Sequence, residues 1–449
     1  MGRLFGTDGV RGVANIEPMT AETALLIGRA TAHVCKRHKD RHRVVIGKDT
    51  RVSGYMIENA LTAGICSMGV DVLLVGPMPT PGIAFITRSM RADAGMVISA
   101  SHNPYQDNGI KIFSRDGFKL PDAVENEIES FITAEHIKDI RPTAAEIGKA
   151  FRIDDAIGRY IVFCKNTFPD HLSLGGLKLV LDCANGATYK VAPIIFSELG
   201  AEVITINDHP NGMNINDHCG ALYPEMLMVA VVKHGADAGL AFDGDGDRLI
   251  AVDEKGSCLT GDHLLAICAK SLKEAEALRN NLVISTPMSN FGFQEAMRRL
   301  NIQTASAEVG DRYVLKMMRE RGAVLGGEQS GHIVFLNHHT TGDGIISALQ
   351  LLAIRQESGQ QLSALAKIMQ SAPQRLINVN VSRQPALDSV KALQEAIRKA
   401  ETELDGRGRV LVRYSGTQPI CRVMVESLDA SRTDRLAEAL AALVKQELG

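Results

Sequence analysis

One pattern recurs three times along this chain, and it constrains the fold more than any single motif does. HRVVIGKDT (42–50) is an apolar run of strand length. A loop follows, then a segment with Met56, Ala60, Ala63 and Met68 at helical spacing, then Gly69 and a second apolar run, VDVLLV (70–75). LKLVLDCANGA (177–187) opens a second copy, with a helix expected over Val191 to Leu199 and AEVITI as the return strand. NNLVISTP (280–287) opens a third, with Phe291 to Leu300 as the helix and IQTASAEV as the return. A strand–helix–strand unit with a crossover of this length predicts parallel pairing.

Each copy then continues in the same way. Ala92-Asp93-Ala94-Gly95 leads through MVIS into the loop ASHNPYQDNG and the strand IKIF. Ala236-Asp237-Ala238-Gly239 leads through LAFD into GDGD and then RLIAVD. The third copy, GAVLGGEQSGHIVFL (322–336), is looser. Every unit therefore predicts one polar loop after an apolar strand. In α/β sheets ligands bind beyond the carboxyl ends of strands, so three loops of one origin can converge on one cleft.

The tail reads differently. RLINVNV (375–381), RVLVRY (409–414) and ICRVMVE (420–426) are strands. Pro385 is expected to open a helix carrying Val390, Leu393, Ile397 and Ala400. A last helix is expected from Ser431, with Asp434 as its capping-box partner and Leu436, Leu440, Leu443 and Val444 as its apolar face. At roughly 150 residues per domain, 449 residues make about three or four domains. The expected fold class is α/β: three similar α/β domains with mixed sheets plus a smaller C-terminal α+β domain around a central cleft. The expected divisions are 1–155, 156–256, 257–370 and 371–449, with a linker near Gln370–Gln374.

Composition narrows the function classes. An apolar share of 45% with 22% charged residues describes a chain with ample core, not a disordered one. The formal net charge of −3, from 49 basic and 52 acidic residues, gives no bulk attraction for nucleic acid, so any anion site must be local. Eight cysteines without a CxxC pair argue against structural zinc and fit free thiols in a reducing compartment. The opening MGRLFGTDGVRG lacks the apolar stretch of a signal peptide, and Gly6 stands where a myristoylation signal wants Ser or Thr. No apolar run reaches membrane-spanning length. A cytoplasmic location with no membrane partner is expected.

Four loops carry chemistry. Asp243, Asp245 and Asp247 lie in DGDGDR, and in an extended loop residues i, i+2 and i+4 face the same way. Crowded carboxylates repel unless a cation sits between them, and hard oxygen donors suit Mg²⁺ or Ca²⁺. An EF-hand needs glycine where Arg248 stands, and LIAVD is strand-like; a solvated acidic turn is the remaining alternative. Ser101, in SASHNP, sits in ordinary turn chemistry, but its loop is the repeat equivalent of the acidic loop. A serine hydroxyl beside a divalent cation suits carriage of a phosphoryl group. Lys111, one strand later, is either a snorkelling edge residue or a phosphate contact and proton carrier.

In GGEQSGH (326–332), Glu328 and Ser330 on one side of an extended loop are placed to grip vicinal hydroxyls of a sugar. A polar hairpin turn is the plain alternative. Arg413 and Arg422 flank a turn with Ser415, Gly416 and Thr417, which makes an anion nest with guanidinium forks matched to phosphate; a hairpin with surface arginines is the other reading. The absence of GxSxG and GxxxxGK[ST], and of a third glycine in GDGDRL, argues against a hydrolase, a P-loop NTPase and a dinucleotide-binding domain. A serine, an acidic loop, a hydroxyl-gripping loop and an anion nest, one per domain, imply phosphoryl transfer on a sugar that already carries a phosphate.

Seven motifs occur in order across the whole chain: FGTDGVRG (5–12), GKDTRVSG (47–54), SASHNP (99–104), DGDGDR (243–248), EVGDRYV (308–314), GGEQSGH (326–332) and RYSGTQP (413–419). At these residues the sequence resembles the α-D-phosphohexomutase superfamily. The resemblance implies that Ser101 is the phosphorylated serine, with Mg²⁺ held by its phosphate and by Asp243, Asp245 and Asp247. It implies that Glu328 and Ser330 hold sugar hydroxyls and that Arg413, Ser415, Gly416, Thr417 and Arg422 bind the phosphate that is not reacting. Arg11, Lys111, Arg248 and His332 match positions lining the active site, with Lys111 and His332 in proton transfer. The implied partners are small-molecule sugar phosphates and a second copy in a homodimer. FGTDGVRG and Gln329 point to the glucosamine branch rather than the mannose and glucose branch, with glucosamine 1,6-bisphosphate as intermediate and primer. A non-catalytic phosphosugar-binding protein is the distant alternative, against which the intact motif set argues. Two residues depart from the pattern: Gln418 replaces an acid, and Tyr414 replaces a residue that is commonly Lys or Pro-like.

Overall fold

The structure is a computed structural model and describes residues 4–6, 8–36, 41–133, 137, 139–415 and 420–449. The first repeat builds a sheet of β1 (Val10–Val13), β2 (Arg43–Lys48), β3 (Asp71–Pro77), β4 (Ala94–Ile98), β5 (Asp107–Ser114) and β6 (Ala150–Arg152), in the order β1-β5-β4-β2-β3-β6. The second builds β7 (Lys178–Asp182), β8 (Glu202–Ile206), β9 (Ala238–Phe242), β10 (Leu249–Asp253) and β11 (Cys258–Leu259), ordered β11-β10-β9-β7-β8. The third builds β12 (Leu282–Ser285), β13 (Gln303–Ser306), β14 (Leu325–Gly327) and β15 (Ile333–Phe335), ordered β13-β12-β14-β15.

The sequence repeat is thus a repeat of topology. β2, β7 and β12 each pair in parallel with β4, β9 and β14. Each of those strands then turns back antiparallel into β5, β10 or β15. The sheets are mixed, as expected. β4, β9 and β14 are buried along their whole length, which is why they read as unbroken apolar runs. The polar loops are the ends of the three equivalent hairpins.

β1 carries little strand signal, being four residues of VRGV without alternation. It pairs antiparallel with β5, setting Arg11 opposite Gly109. That edge pairing brings Asp8 and Arg11 to the strand that carries Lys111.

Helices Ala21–Cys35 and Ser53–Cys66 pack backbone against backbone on the first sheet. A Cβ on Gly28 would lie 2.7 Å from the Leu61 carbonyl oxygen, and one on Gly64 would lie 2.3 Å from that of Leu25. Two absent side chains set the spacing of this layer.

The chain divides into two compact units, Met1–Pro287 with Thr304–Ala366, and Met288–Gln303 with Lys367–Gly449. In the second, β16 (Gln374–Asn380), β17 (Gly408–Tyr414) and β18 (Ile420–Ser427) form an antiparallel sheet in the order β16-β18-β17. Val423, Val425, Leu393, Leu440 and Val444 form its core. Helix Phe291–Arg299 of the third repeat packs in this unit. Asn290 exchanges hydrogen bonds with the backbone of Ala372 at 3.1 and 2.8 Å, and Arg299 donates to the Ile368 carbonyl at 2.8 Å. Periodicity places a helix but not the partner it packs on.

Two boundaries in the tail need correction. The helix expected from Pro385 begins at Lys391, after a short 3-10 turn at Leu387–Ser389. The last helix, Ala430–Leu448, is capped by Asp429, whose carboxylate accepts from the Arg432 N–H at 3.1 Å. Ser431 lies inside the first turn and donates to Asp429 at 2.8 Å. A carboxylate at that end also meets the positive pole of the helix. Among the described residues no helix is long and apolar enough to cross a membrane, and no two cysteines form a disulfide.

Gly64→Val should lower stability by at least about 2 kcal/mol in urea unfolding, because the obstacle is backbone and cannot rotate away. Gly158→Ala is the control: a Cβ there meets nothing within 4 Å. Equal midpoints for the two variants would mean the helices do not touch at Gly64.

Candidate active site

Ser101 follows β4 with φ of +51°, an uncommon backbone conformation for a serine. The loop is held there from behind by its carbonyls. Arg51, fully buried, donates to the carbonyls of Ser101 at 2.9 Å, Asn103 at 2.8 Å and Asp107 at 3.0 Å, and also to that of Pro104. Its Nε binds Asp49 at 2.8 Å. Asn216 donates to the Ser101 carbonyl at 2.9 Å and that of Asn103 at 3.0 Å. With the backbone fixed, the Ser101 hydroxyl donates to Asp243 Oδ2 at 2.6 Å. The serine and the acidic loop therefore meet.

The acidic loop is a tight turn rather than an extended segment. Gly246 N–H donates to the Asp243 carbonyl at 3.0 Å, and Gly246 has φ of +71°. The turn, not strand alternation, brings oxygens of Asp243, Asp245 and Asp247 within 4.8 Å of one another. All three side chains are buried. Burial, and then Asp247 and Asp245, push the Asp243 carboxyl well above the usual carboxylate range. Burial also works against Asp245, yet Lys111 and the Thr80 hydroxyl hold it below that range. Asp245 Oδ2 accepts from Thr80 at 2.7 Å and from Lys111 at 2.9 Å. Among the described residues, Asp245 Oδ1 and Asp247 Oδ1 are buried and accept no hydrogen bond. Anionic oxygens without hydrogen bonds in low dielectric are costly. Hard donors so arranged fit a divalent cation such as Mg²⁺.

Cationic side chains surround the turn. Lys111 Nζ lies 2.9 Å from Asp245, 3.1 Å from Asp8 and 3.8 Å from Asp247. Burial opposes its charge, but Asp245, Asp8 and Asp247 hold its pKa well above the ordinary lysine value. Arg248 Nε is 3.8 Å from Asp247, and Arg11 binds Asp8 at 2.9 Å. His332 Nδ1 is 3.6 Å from Asp247 and its Nε2 is 3.9 Å from Asp311. Burial works against an imidazolium there, but Asp247 and Asp311 raise His332 to about 9. His102, 3.3 Å from the Ser101 hydroxyl, is held down at about 4 by burial and by Arg248 and Arg11. One histidine is a proton donor at neutral pH and the other is neutral.

The 326–332 loop, expected to grip a sugar, is also a turn. Gly331 N–H donates to the Glu328 carbonyl at 3.0 Å, and Leu249 N–H to the Gly331 carbonyl at 3.0 Å. A bridge between Arg248 and His332 continues that seam, so the acidic loop and the sugar loop are laced together. Glu328 and Ser330 are partly exposed, and Glu328 Oε1 accepts from the Gly310 N–H at 3.0 Å.

In the C-terminal unit, Arg413 and Arg422 stand directly opposite each other across β17 and β18. Like charges so placed are unfavourable unless an anion joins them. Among the described residues Arg422 Nε is buried with no hydrogen-bond partner, and the Ser415 N–H donates to the Ile420 carbonyl at 2.9 Å. Gly416, Thr417 and Gln418 lie outside the described residues. Tyr414 packs against the hydrophobic core and donates to the Pro385 carbonyl at 2.8 Å. Its departure from the pattern is a packing choice.

Sequence reasoning assigned no role to Arg51, Asn216, His102, Asp8, Lys119 or Asp311. Asp8, Arg51, His102 and Asp311 sit inside the quoted motifs, and their charge within short aperiodic runs was the available signal. Asn216 and Lys119 carry none.

The phosphoglucomutase/phosphomannomutase alpha/beta/alpha domains I, II and III match residues 2–138, 159–256 and 260–372, and the C-terminal domain matches 376–443. The chain belongs to the phosphoglucomutase/phosphomannomutase family, and so is a phosphohexomutase of the isomerase class. It is 59% identical to the phosphoglucosamine mutase of Syntrophotalea carbinolica, over 100% of this chain and 98% of that one. To the phosphoglucosamine mutase of Syntrophus aciditrophicus it is 60% identical over the whole of both. Among solved structures, a phosphoglucomutase/phosphomannomutase family protein from Burkholderia thailandensis superposes with a TM-score of 0.80 at 25% identity, covering 99% of this chain and 97% of that one. Aspergillus fumigatus N-acetylphosphoglucosamine mutase, solved with GlcNAc-6P and magnesium, shares the fold at a TM-score of 0.64 and 19% identity, over 91% of this chain and 83% of that one.

The raised pKa of His332 gives a signed prediction for the metal-free protein. Its charge stabilises the fold in full below its ordinary pKa of 6.5, and that contribution is lost as pH rises through about 9. The stability gap between wild type and His332→Gln should shrink by about 3 kcal/mol from pH 6.5 to above pH 9. A gap independent of pH would mean that His332 is neutral in the fold.

Proposed function

We propose that this chain interconverts glucosamine 6-phosphate and glucosamine 1-phosphate through a phosphorylated Ser101. The observation that carries the reading is the 2.6 Å contact between the Ser101 hydroxyl and a carboxylate of the acidic turn. The full-length identity to proteins named phosphoglucosamine mutase supports the choice of sugar. In this reading the chain is divided at 1–155, 156–256, 257–370 and 371–449, each part supplying one loop. Asp243, Asp245 and Asp247, with the phosphate on Ser101, are the residues to hold Mg²⁺. When bound, Mg²⁺ spreads the charge of the transferring group.

The phosphoryl group leaves Ser101 Oγ for O1 of glucosamine 6-phosphate. One P–O bond breaks at the serine and one forms at the sugar, giving glucosamine 1,6-bisphosphate. The O1 hydroxyl gives up its proton as Ser101 Oγ takes one up, so the step is proton-neutral. In the second half, Ser101 Oγ takes the phosphoryl from O6, and O6 regains a proton. The cycle leaves protein and proton count unchanged. Lys111 and His332 hold protons at neutral pH and serve as donors to the departing oxygens. Arg11 and Arg248 balance phosphate charge beside them. Glu328 and Ser330 grip the sugar hydroxyls. Arg413, Ser415 and Arg422, with Gly416 and Thr417, hold the phosphate that is not reacting. That nest must accept phosphate from either end of the sugar, so it has to select by charge rather than sugar shape.

A coupled assay with glucosamine 6-phosphate and a bisphosphate primer tests this directly. Ser101→Ala should lose turnover by more than about a thousandfold and lose the phosphorylated species seen by intact mass. Chelation of divalent cations should remove most activity, and Mg²⁺ should restore it. Full turnover by Ser101→Ala would remove the mechanism. A higher kcat/KM on mannose or glucose 6-phosphate would reassign the sugar.

A further inference from the structure

Six side chains of alternating charge close a ring beside the acidic turn. Lys111 lies 3.8 Å from Asp247 and 3.1 Å from Asp8. Asp8 and Asp311 share the ammonium of Lys119. Asp311 lies 3.9 Å from His332, and His332 lies 3.6 Å from Asp247. The Lys111, Asp247 and His332 side of this ring has work in the proposed reaction. Lys119 has none so far, and Asp311, which also accepts from the Arg312 N–H at 2.6 Å, has none beyond its charge facing His332.

Where they sit in the chain suggests their task. Lys119 lies beyond β5, bridged to Phe113. Asp311 is the first residue of helix Asp311–Arg321 and follows Gly310, which has φ of +129°. The Gly310 N–H donates to Glu328 Oε1 at 3.0 Å. The next residue, Arg312, forks onto Glu125 at 2.9 and 2.6 Å and also reaches Asp122. Two neighbours of opposite charge thus tie one helix end to the part of the fold that carries Ser101. The same helix end steadies the Glu328 carboxylate.

We infer that Lys119 and Asp311 are positioning residues: their ion pair fixes the Gly310 turn, and through it the Glu328 carboxylate that grips the sugar, relative to the Asp8 and Lys111 side of the reacting centre. The inference rests on the proposed function. It gives Lys119 and Asp311 no contact with substrate. Their effect on sugar binding passes through Glu328 and is read in KM, while the charge that Asp311 lends His332 bears on kcat.

A double-variant cycle tests it, using glucosamine 6-phosphate kinetics on wild type, Asp311→Asn, Glu328→Gln and the double variant, with thermal unfolding of each. Asp311→Asn should lower kcat/KM by about tenfold or more, mainly through KM. In KM the double variant should be no worse than Glu328→Gln alone, because both remove one grip. Asp311→Glu should restore most of the loss. If Asp311→Asn does not fold, Lys119→Met replaces it in the same cycle. KM effects that multiply, or a full-activity Asp311→Asn, overturn the inference. A wild-type protein with no mutase turnover would instead overturn the proposed function.

Discussion

Three carboxylates and a serine hydroxyl are packed into one buried turn, and the surrounding structure answers that concentration of charge. Isolated carboxylates in such a place would take up protons rather than stay ionised. Asp243, bonded to Ser101 and lacking a cationic side chain within ion-pair distance among the described residues, is pushed up. Asp245 keeps its charge because Lys111 and Thr80 face it. The two carboxylate oxygens that accept no hydrogen bond among the described residues are the ones a divalent ion would satisfy. The site is therefore built around a charge that the protein alone does not fully balance.

Repetition makes such a site possible to assemble. A single hairpin offers one polar loop at one end of a strand. Three copies of the same parallel strand and return hairpin offer three loops at equivalent positions, each with its own polar residues. The seam from Leu249 to Gly331 and the bridge from Arg248 to His332 join the second and third loops. Arg51 and Asn216 hold the first by its carbonyls. A left-handed serine is unfavourable by itself and persists because so many donors fix the segment around it.

Much of this was legible in the sequence, for identifiable reasons. The repeats, the mixed sheets and the pairing of Ser101 with the acidic loop followed from apolar runs and from equivalent positions in each copy. The conformation of the acidic and sugar loops did not follow. Both were read as extended, whereas glycines at 246 and 331 turn them. β1 was missed because four residues without alternation carry no strand signal. The charge ring was out of reach for a different reason: Lys119 and Asp311 are 192 positions apart, and no local pattern joins them. Nor does periodicity tell which surface receives helix Phe291–Arg299; Asn290 and Arg299 decide that through individual hydrogen bonds.

The C-terminal sheet shows the same principle with the sign reversed. Arg413 and Arg422 are set opposite each other on neighbouring strands, where opposite charges would be the stabilising choice. Tyr414, between them in sequence, turns to the core. The alternation of β17 thus assigns one face to packing and gives the other a pair of guanidinium groups. A fold optimised only for stability would neutralise that pair. Its retention makes sense if the missing negative charge arrives with the ligand, as a phosphate group bound by forks that match its oxygens. The acidic turn carries negative charge and the arginine pair positive charge that their surroundings do not fully balance, so each would be completed by an ion of opposite sign.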